Sequence, residues 1–364
     1  MEIKTTAISA NRLTARENVQ FLQEGDIIVP DNKPDIEKIL RTSGNVVIDS
    51  TNIADGRLNY RGHIALDCLY LSKGENKKLH TMSKDIEIND FIAISGIEEN
   101  MSPKLKCTIE NIDTGILNER KINYKISGNA FADVNEVVEI NAVSSIDDLS
   151  ENQQKMTTIK TTKNICSKIE KINIKEDVVI PPTKLPIDEI ISIEPTLLNT
   201  EAVPSQDSVK ISGDITASML YTSNESSVPE VFDIDIPFDG MIETEDVEPN
   251  MEINTDLTIT DFYYDVSEDE NGENRIVNLE FVINACIEAY ATQESEILED
   301  AYSVNNNITM ENETLCYDRE VCRNKSQCPV KDIVSIDSDC PAMLQIIKAV
   351  GTPYIDVISI FDNK

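Results

Sequence analysis

Two stretches of the chain alternate between apolar and polar residues with a period of two. In "RLNYRGHIALDCLYL", residues Leu58, Tyr60, Ile64, Leu66, Cys68 and Tyr70 share one face with Gly62, and Asn59, Arg61, His63 and Asp67 share the other. Further on, Val209, Ile211, Ile215, Ala217, Met219 and Tyr221 repeat the apolar face, and Lys210, Ser212, Asp214, Thr216 and Ser218 repeat the polar one. A sheet with one buried face requires this period. Asp55-Gly56 separates the first stretch from "NVVIDSTNI" and predicts a hairpin turn. Turns at Lys73–Asn76 and Ser223–Ser226 lead into "DIEI" and "DIDIPF", and Lys106–Ile112 with Lys121–Ala130 and Leu257–Val266 with Arg275–Ala289 predict later strand pairs. The expected fold class is mainly β, as tandem antiparallel β-sandwich or barrel-like domains.

The segment "VPDNKPDIEKIL" has a different pattern. Asp31 or Asn32 is a helix-capping type, Pro34 suits a first turn, and Ile36, Ile39 and Leu40 stand at i, i+3 and i+4 before Gly44. This spacing predicts a short helix, so each domain is expected to carry one or two.

Adding 151 to the first set of positions recovers a second. Asp26, Pro30, Lys33, Gly62 and Tyr70 become Asp177, Pro181, Lys184, Gly213 and Tyr221, and Ile36, Ile39 and Leu40 become Ile187, Ile190 and Ile191. "NYKISGNAFA" and "NLEFVINACI" match at an offset of 155. An offset of 307 carries Pro34 to Pro341, Ile36 to Met343, Gly44 to Gly351 and Asp49 to Asp356. One register held across apolar and glycine positions marks duplicated, domain-sized units. The chain is expected to divide into a first domain at 1–150, a second at 151–310 and a partial third at 311–364, which stops where its long alternating strand should start. The recurrent turn is either a partner-docking element or a structural corner, and its recurrence with an apolar stripe favours the corner.

The 364 residues carry a net charge of −34, and residues 201–300 hold 26 acidic side chains against Lys210 and Arg275. Such a surface repels nucleic acid and anionic membranes, so neither nucleic-acid binding nor membrane insertion is expected. No apolar run reaches the length of a membrane helix, and the first residues lack the core of a signal peptide, which points to the cytoplasm.

Catalytic and cofactor chemistry find little support. His63 lies on the polar face of a strand and becomes Asp214 in the second copy, and His80 sits near a turn. No glycine-rich phosphate loop is present, so no cofactor is expected. In "SEDENGENRIVN", Asp269, Asn271 and Gly272 match a calcium loop, but Ser267 and Asn278 occupy the positions that need an acid and a bidentate Glu. Asn271-Gly272 is also a hairpin signal, the reading preferred here. Cys316, Cys322, Cys328 and Cys340 form a cluster with gaps wider than zinc ligand pairs usually show. Free thiols, a zinc site and disulfides all remain open, with thiols the default in a reducing compartment.

The stretch "VQFLQEGDIIVPDNKPDIEKIL", followed by "RLNYRGHIALDCLYL" and "DIEINDF", resembles the SPOCS domain of spore-forming Firmicutes. The resemblance rests on the turn Asp26–Ile36, including Asp31, Pro34 and Asp35, and on the strand through Gly62 and Tyr70. The second unit departs from it at Pro182, Leu185 and Pro186. Tandem SPOCS repeats occur in clostridial coat morphogenetic proteins. The resemblance implies a non-enzymatic adaptor of spore coat and envelope assembly, on the mother-cell side of the forespore surface. It also implies partnership with the coat base-layer ATPase, through a lysin motif that would lie beyond Lys364. The alternative is a self-assembling structural subunit of the spore surface, or one that binds metal or carbohydrate.

Overall fold

Period-two patterning this long has to be paired along its whole length, because each strand exposes a backbone donor and acceptor at every residue. The computed structural model, which describes residues 2–74, 77–147, 149, 153–304, 307–311, 314, 316–318, 329–336, 343, 346 and 349, shows how this is done. Six strands form a first body: β1 (Ile3–Ile28), β2 (Ile36–Ala54), β3 (Arg57–Ser72), β4 (Leu79–Ala93), β5 (Ser102–Asn118) and β6 (Lys121–Ile146). Six more form a second: β7 (Gln154–Val179), β8 (Glu189–Ser205), β9 (Ser208–Ser223), β10 (Ser226–Glu243), β11 (Glu252–Glu268) and β12 (Asn274–Ala301). Every strand pairing is antiparallel.

The sheet orders are β1-β6-β5 and β2-β3-β4 in the first body, and β7-β12-β11 and β8-β9-β10 in the second. Adding six to each strand of the first body gives the second, so the duplication read from the sequence is a duplication of topology. The two sheets of each body face one another across one apolar core, one centred on Leu58, Ile64, Ile122 and Ile126, the other on Ile211, Ile215, Phe281 and Ile283. All six apolar side chains of the predicted β3 face are buried, and so are all six of β9. Along one side the sheets approach edge to edge, with Thr42 Oγ1 of β2 3.0 Å from Thr114 Oγ1 of β5. The architecture is therefore a β-sandwich drawn together on one side.

The central strands β3 and β9 explain the repeated glycine. Opposite Gly62 the neighbouring strand carries a bulge between Ile48 and Ser50, and a Cβ on Gly62 would lie 2.1 Å from the Val47 carbonyl oxygen. Opposite Gly213 the bulge recurs between Leu198 and Glu201, 3.1 Å from the Leu198 oxygen. Glycine is retained because the bulged backbone occupies the space of a side chain.

The short helices are a correction. Among the described residues no α-helix forms, and Ile36–Ala54 is a strand. Bulges between Ile36 and Lys38 and between Ile39 and Arg41 each insert an extra residue. Two bulges in six residues move the apolar positions from every second residue to a spacing of three and four, which imitates a helical stripe. Ile36 is buried and Ile39 half-buried, while Leu40 is exposed. Gly44 ends nothing; it lies within β2, where its bare Cα admits the Cδ1 atoms of Ile109 and Ile112 from β5. The second copy repeats the bulge between Ile190 and Ser192.

The outer strands β1 and β7 run well past their cores. Residues 3–13 of β1 pair with 135–146 of β6, and residues 154–164 of β7 pair with 290–301 of β12. These two ribbons lie against each other, β1 on β7 and β6 on β12. Ile8, Ala10 and Thr161 are fully buried in them. Gln154 ties their base, taking the Ile146 N–H at 2.8 Å and donating to the carbonyls of Ile146 and Leu149. Most of 311–364, including Pro341, Gly351 and Asp356 of the expected third unit, lies outside the described residues. Among those described, no helix is long and apolar enough to cross a membrane.

Candidate docking turn and the junction between the bodies

The repeated turn connects β1 to β2, that is, one sheet to the other, so its carbonyls have no ladder partner. Lys33 N–H closes it onto Pro30 O at 2.9 Å, and Lys184 closes the second copy onto Pro181 O at 2.9 Å. The hydroxyl of Tyr70 donates to Pro34 O and that of Tyr221 to Leu185 O, both at 3.0 Å. The remaining donors come from an arginine that the sequence reading passed over. Arg120, at the β5–β6 hairpin, donates to Lys33 O at 2.8 Å, Pro30 O at 3.0 Å and Val29 O at 3.1 Å, and pairs with Asp35 at 3.1 Å. Its counterpart Arg275 donates to Lys184 O at 2.8 Å and Pro181 O at 3.2 Å. The backbone follows suit: Val29 N–H meets Arg120 O, and Ile180 N–H meets Arg275 O. A guanidinium suits the position because it carries five donors on one rigid plane. The signal that would have found it is the offset of 155 noted for the last strand, which carries Arg120 onto Arg275.

Burial pushes the Tyr70 phenol up to about 12, against a smaller opposing pull from Arg120, and burial likewise raises Tyr221. Both hydroxyls stay protonated and available as donors. Asp26 and Asp177 stand beside the turn at the ends of β1 and β7. Asp26 pairs with Lys121 at 2.6 Å, and Asp177 accepts from Asn278 Nδ2 at 2.7 Å. Pro30 and Asp31 are exposed at the tip, with Asp31 3.7 Å from Arg120. The structure thus brings together Pro30, Asp31, Lys33, Pro34, Asp35 and Tyr70, and in the second copy Pro181, Lys184 and Tyr221. Gly62 and Gly213 belong to the bulges instead.

Side chains of the first turn and of the strands beside it reach the second body. Lys33 Nζ lies 3.4 Å from Glu189 Oε1, His80 Nδ1 3.3 Å from Glu189 Oε2, and Lys78 Nζ 3.7 Å from Asp188. Arg41 holds Glu194 with both terminal nitrogens, at 2.6 and 3.4 Å. Lys104 Nζ contacts Glu288 at 2.5 Å and the Tyr290 hydroxyl at 3.3 Å. Glu288 is almost wholly enclosed and also accepts from Tyr290 at 2.9 Å and Asn254 at 3.2 Å. Burial opposes the charge on Lys104, but the hydrogen bond and attraction of Glu288 outweigh it and hold the ammonium above its ordinary pKa. In all of these pairs the first body supplies the basic group and the second the carboxylate. Of the five basic groups only Lys33 recurs in the second copy, as Lys184, which turns to Glu230 of its own body at 3.1 Å. At the offset of 151 Arg41, Lys78, His80 and Lys104 become Ser192, Pro229, Val231 and Thr255.

The calcium-like stretch is the β11–β12 connection. The Asp269 carboxylate accepts from the backbone N–H of Asn271 at 2.9 Å and of Glu273 at 3.0 Å, and those bonds lower its pKa. This is a hairpin loop held by its own aspartate, as the Asn271-Gly272 signal implied. Of the cysteine cluster, Cys316 is a free, exposed thiol; Cys322, Cys328 and Cys340 lie outside the described residues.

The family model of the SipL SPOCS domain matches residues 35–117 and 186–267. The two segments start and end at equivalent points of the two copies and span β2 through most of β5, and β8 through most of β11. They include Asp35, Gly62, Tyr70, Gly213 and Tyr221, while Asp26, Pro30, Lys33, Asp177, Pro181 and Lys184 precede them. Searches of curated proteins and of solved structures returned no match. Both segments are thus similar to the SipL SPOCS domain, consistent with SPOCS repeats in tandem.

Proposed function

We propose that the chain is a non-enzymatic adaptor in spore coat and envelope morphogenesis, acting through protein–protein contacts at the forespore surface. Its family ties it to sporulation and the spore coat. One observation carries the finer reading: Tyr, Arg and Gly residues common to both copies are spent on the frame, and four of the five basic groups that bridge the bodies differ between the copies. Tyr70 and Tyr221, Arg120 and Arg275, and Gly62 and Gly213 satisfy backbone or admit a bulge. Arg41, Lys78, His80 and Lys104 bind a neighbouring SPOCS domain and change identity in the next copy. A constant frame with variable charged faces is how a repeated module recognises successive partners, because charge complementarity sets register and rejects wrong neighbours.

The test is affinity capture by the purified full chain from sporulating cells of a spore-forming Firmicute. The proposal expects coat morphogenetic proteins, the base-layer ATPase among them, to be retained at low salt and released as ionic strength rises. Retention of no coat protein under either condition would refute it.

A further inference from the structure

Strands β1 and β7 are outer strands of their sheets, so each has one backbone edge turned away from its ladder partner. Such an edge accepts any extended segment that supplies donors and acceptors at the strand spacing. At Asn11 and Leu13 the β1 edge is occupied. The backbone N–H of Asp318 donates to Asn11 O at 2.9 Å, and the N–H of Leu13 donates to the Asp318 carboxylate, across 305 residues of sequence. The preceding residue reaches the other body, where the Tyr317 hydroxyl donates to Lys160 O of β7 at 3.2 Å. Arg16 stands further along β1 with its guanidinium engaged by both oxygens of Asp133 at 2.7 Å.

We propose that Tyr317–Asp318 is a strap, docked on the β1 edge through one backbone bond and the Asp318 carboxylate, and on β7 through its phenol. It pins the chain that follows the second domain across both bodies at once. The Asp318 side chain takes the place of a backbone carbonyl toward Leu13, so the edge reads an extended segment bearing a carboxylate. The three contacts draw on backbone groups of both outer strands, so the segment after β12 is held to the first domain as well as to its own.

Hydrogen exchange of the full chain tests this at a single amide. In the unaltered protein Leu13 N–H should exchange slowly. Asp318→Ala removes its acceptor and should speed that exchange about tenfold, leaving amides of β3 and β9 unchanged. Asp318→Asn keeps an acceptor oxygen in place and should retain most of the protection. Leu13 exchange that is the same in Asp318→Ala as in the unaltered chain, or equally fast in both variants, overturns the strap.

Discussion

Replacing Arg275 by alanine takes the donors from the carbonyls of Pro181 and Lys184 in a place where the arginine is only 8% exposed. Buried acceptors left unpaired forfeit their full desolvation cost, so Arg275→Ala should lower stability by about 2–4 kcal/mol. Urea unfolding checks this as a shift in midpoint at unchanged slope. Arg275→Lys should not restore it, because one ammonium on a flexible stem does not reproduce the planar fork. Single residues also set the alkaline limit. Burial raises the thiols of Cys68 and Cys107 from 9.0 to about 11. The folded chain then holds these protons more tightly than the unfolded chain. The stability they contribute is complete below pH 9 and is lost as pH climbs through about 11. The urea midpoint should fall across that window, and Cys68→Ala with Cys107→Ala should flatten the fall.

At the level of elements, the ribbons joining the two bodies contain a cost the sequence does not reveal. Thr161 of β7 is fully buried, and its hydroxyl has no hydrogen-bond partner. Thr161→Val keeps the shape and removes the unpaired group, and should raise stability by about 1 kcal/mol, seen as a higher thermal midpoint. Elements were legible where one face is buried and the ladder is regular: β3 and β9 follow from their alternation alone. They were illegible where the ladder is broken. In β2 the two bulges rearrange Ile36, Ile39 and Leu40 into a helix-like spacing, and local pattern cannot distinguish a doubly bulged strand from a turn of helix. The ribbon halves of β1 and β7 were missed for another reason. Much of their surface is wet on both sides, so neither face shows a continuous apolar row. The candidate site was half legible. The turn is visible through its prolines and its repetition, but its anchor, Arg120 or Arg275, is about 90 residues away in sequence and looks like any hairpin charge.

At the scale of the whole molecule, two bodies of one topology meet through surfaces of opposite charge. The acidic excess of the second half thereby has one definite use, since Asp188, Glu189, Glu194 and Glu288 face cations of the first body. Most of these pairs are partly exposed, where an isolated pair contributes little, about 0–1 kcal/mol. The two-pronged Arg41–Glu194 contact has the geometry that makes such a pair count.

A charge-swap cycle at that contact measures most directly whether divergent residues carry recognition between modules. Arg41→Glu and Glu194→Arg, alone and together, are compared by urea unfolding at low and high salt. Each reversal should destabilise and the double swap should recover the loss, with a coupling of about 1–3 kcal/mol that shrinks at high salt. Losses that simply add in the double variant would contradict this.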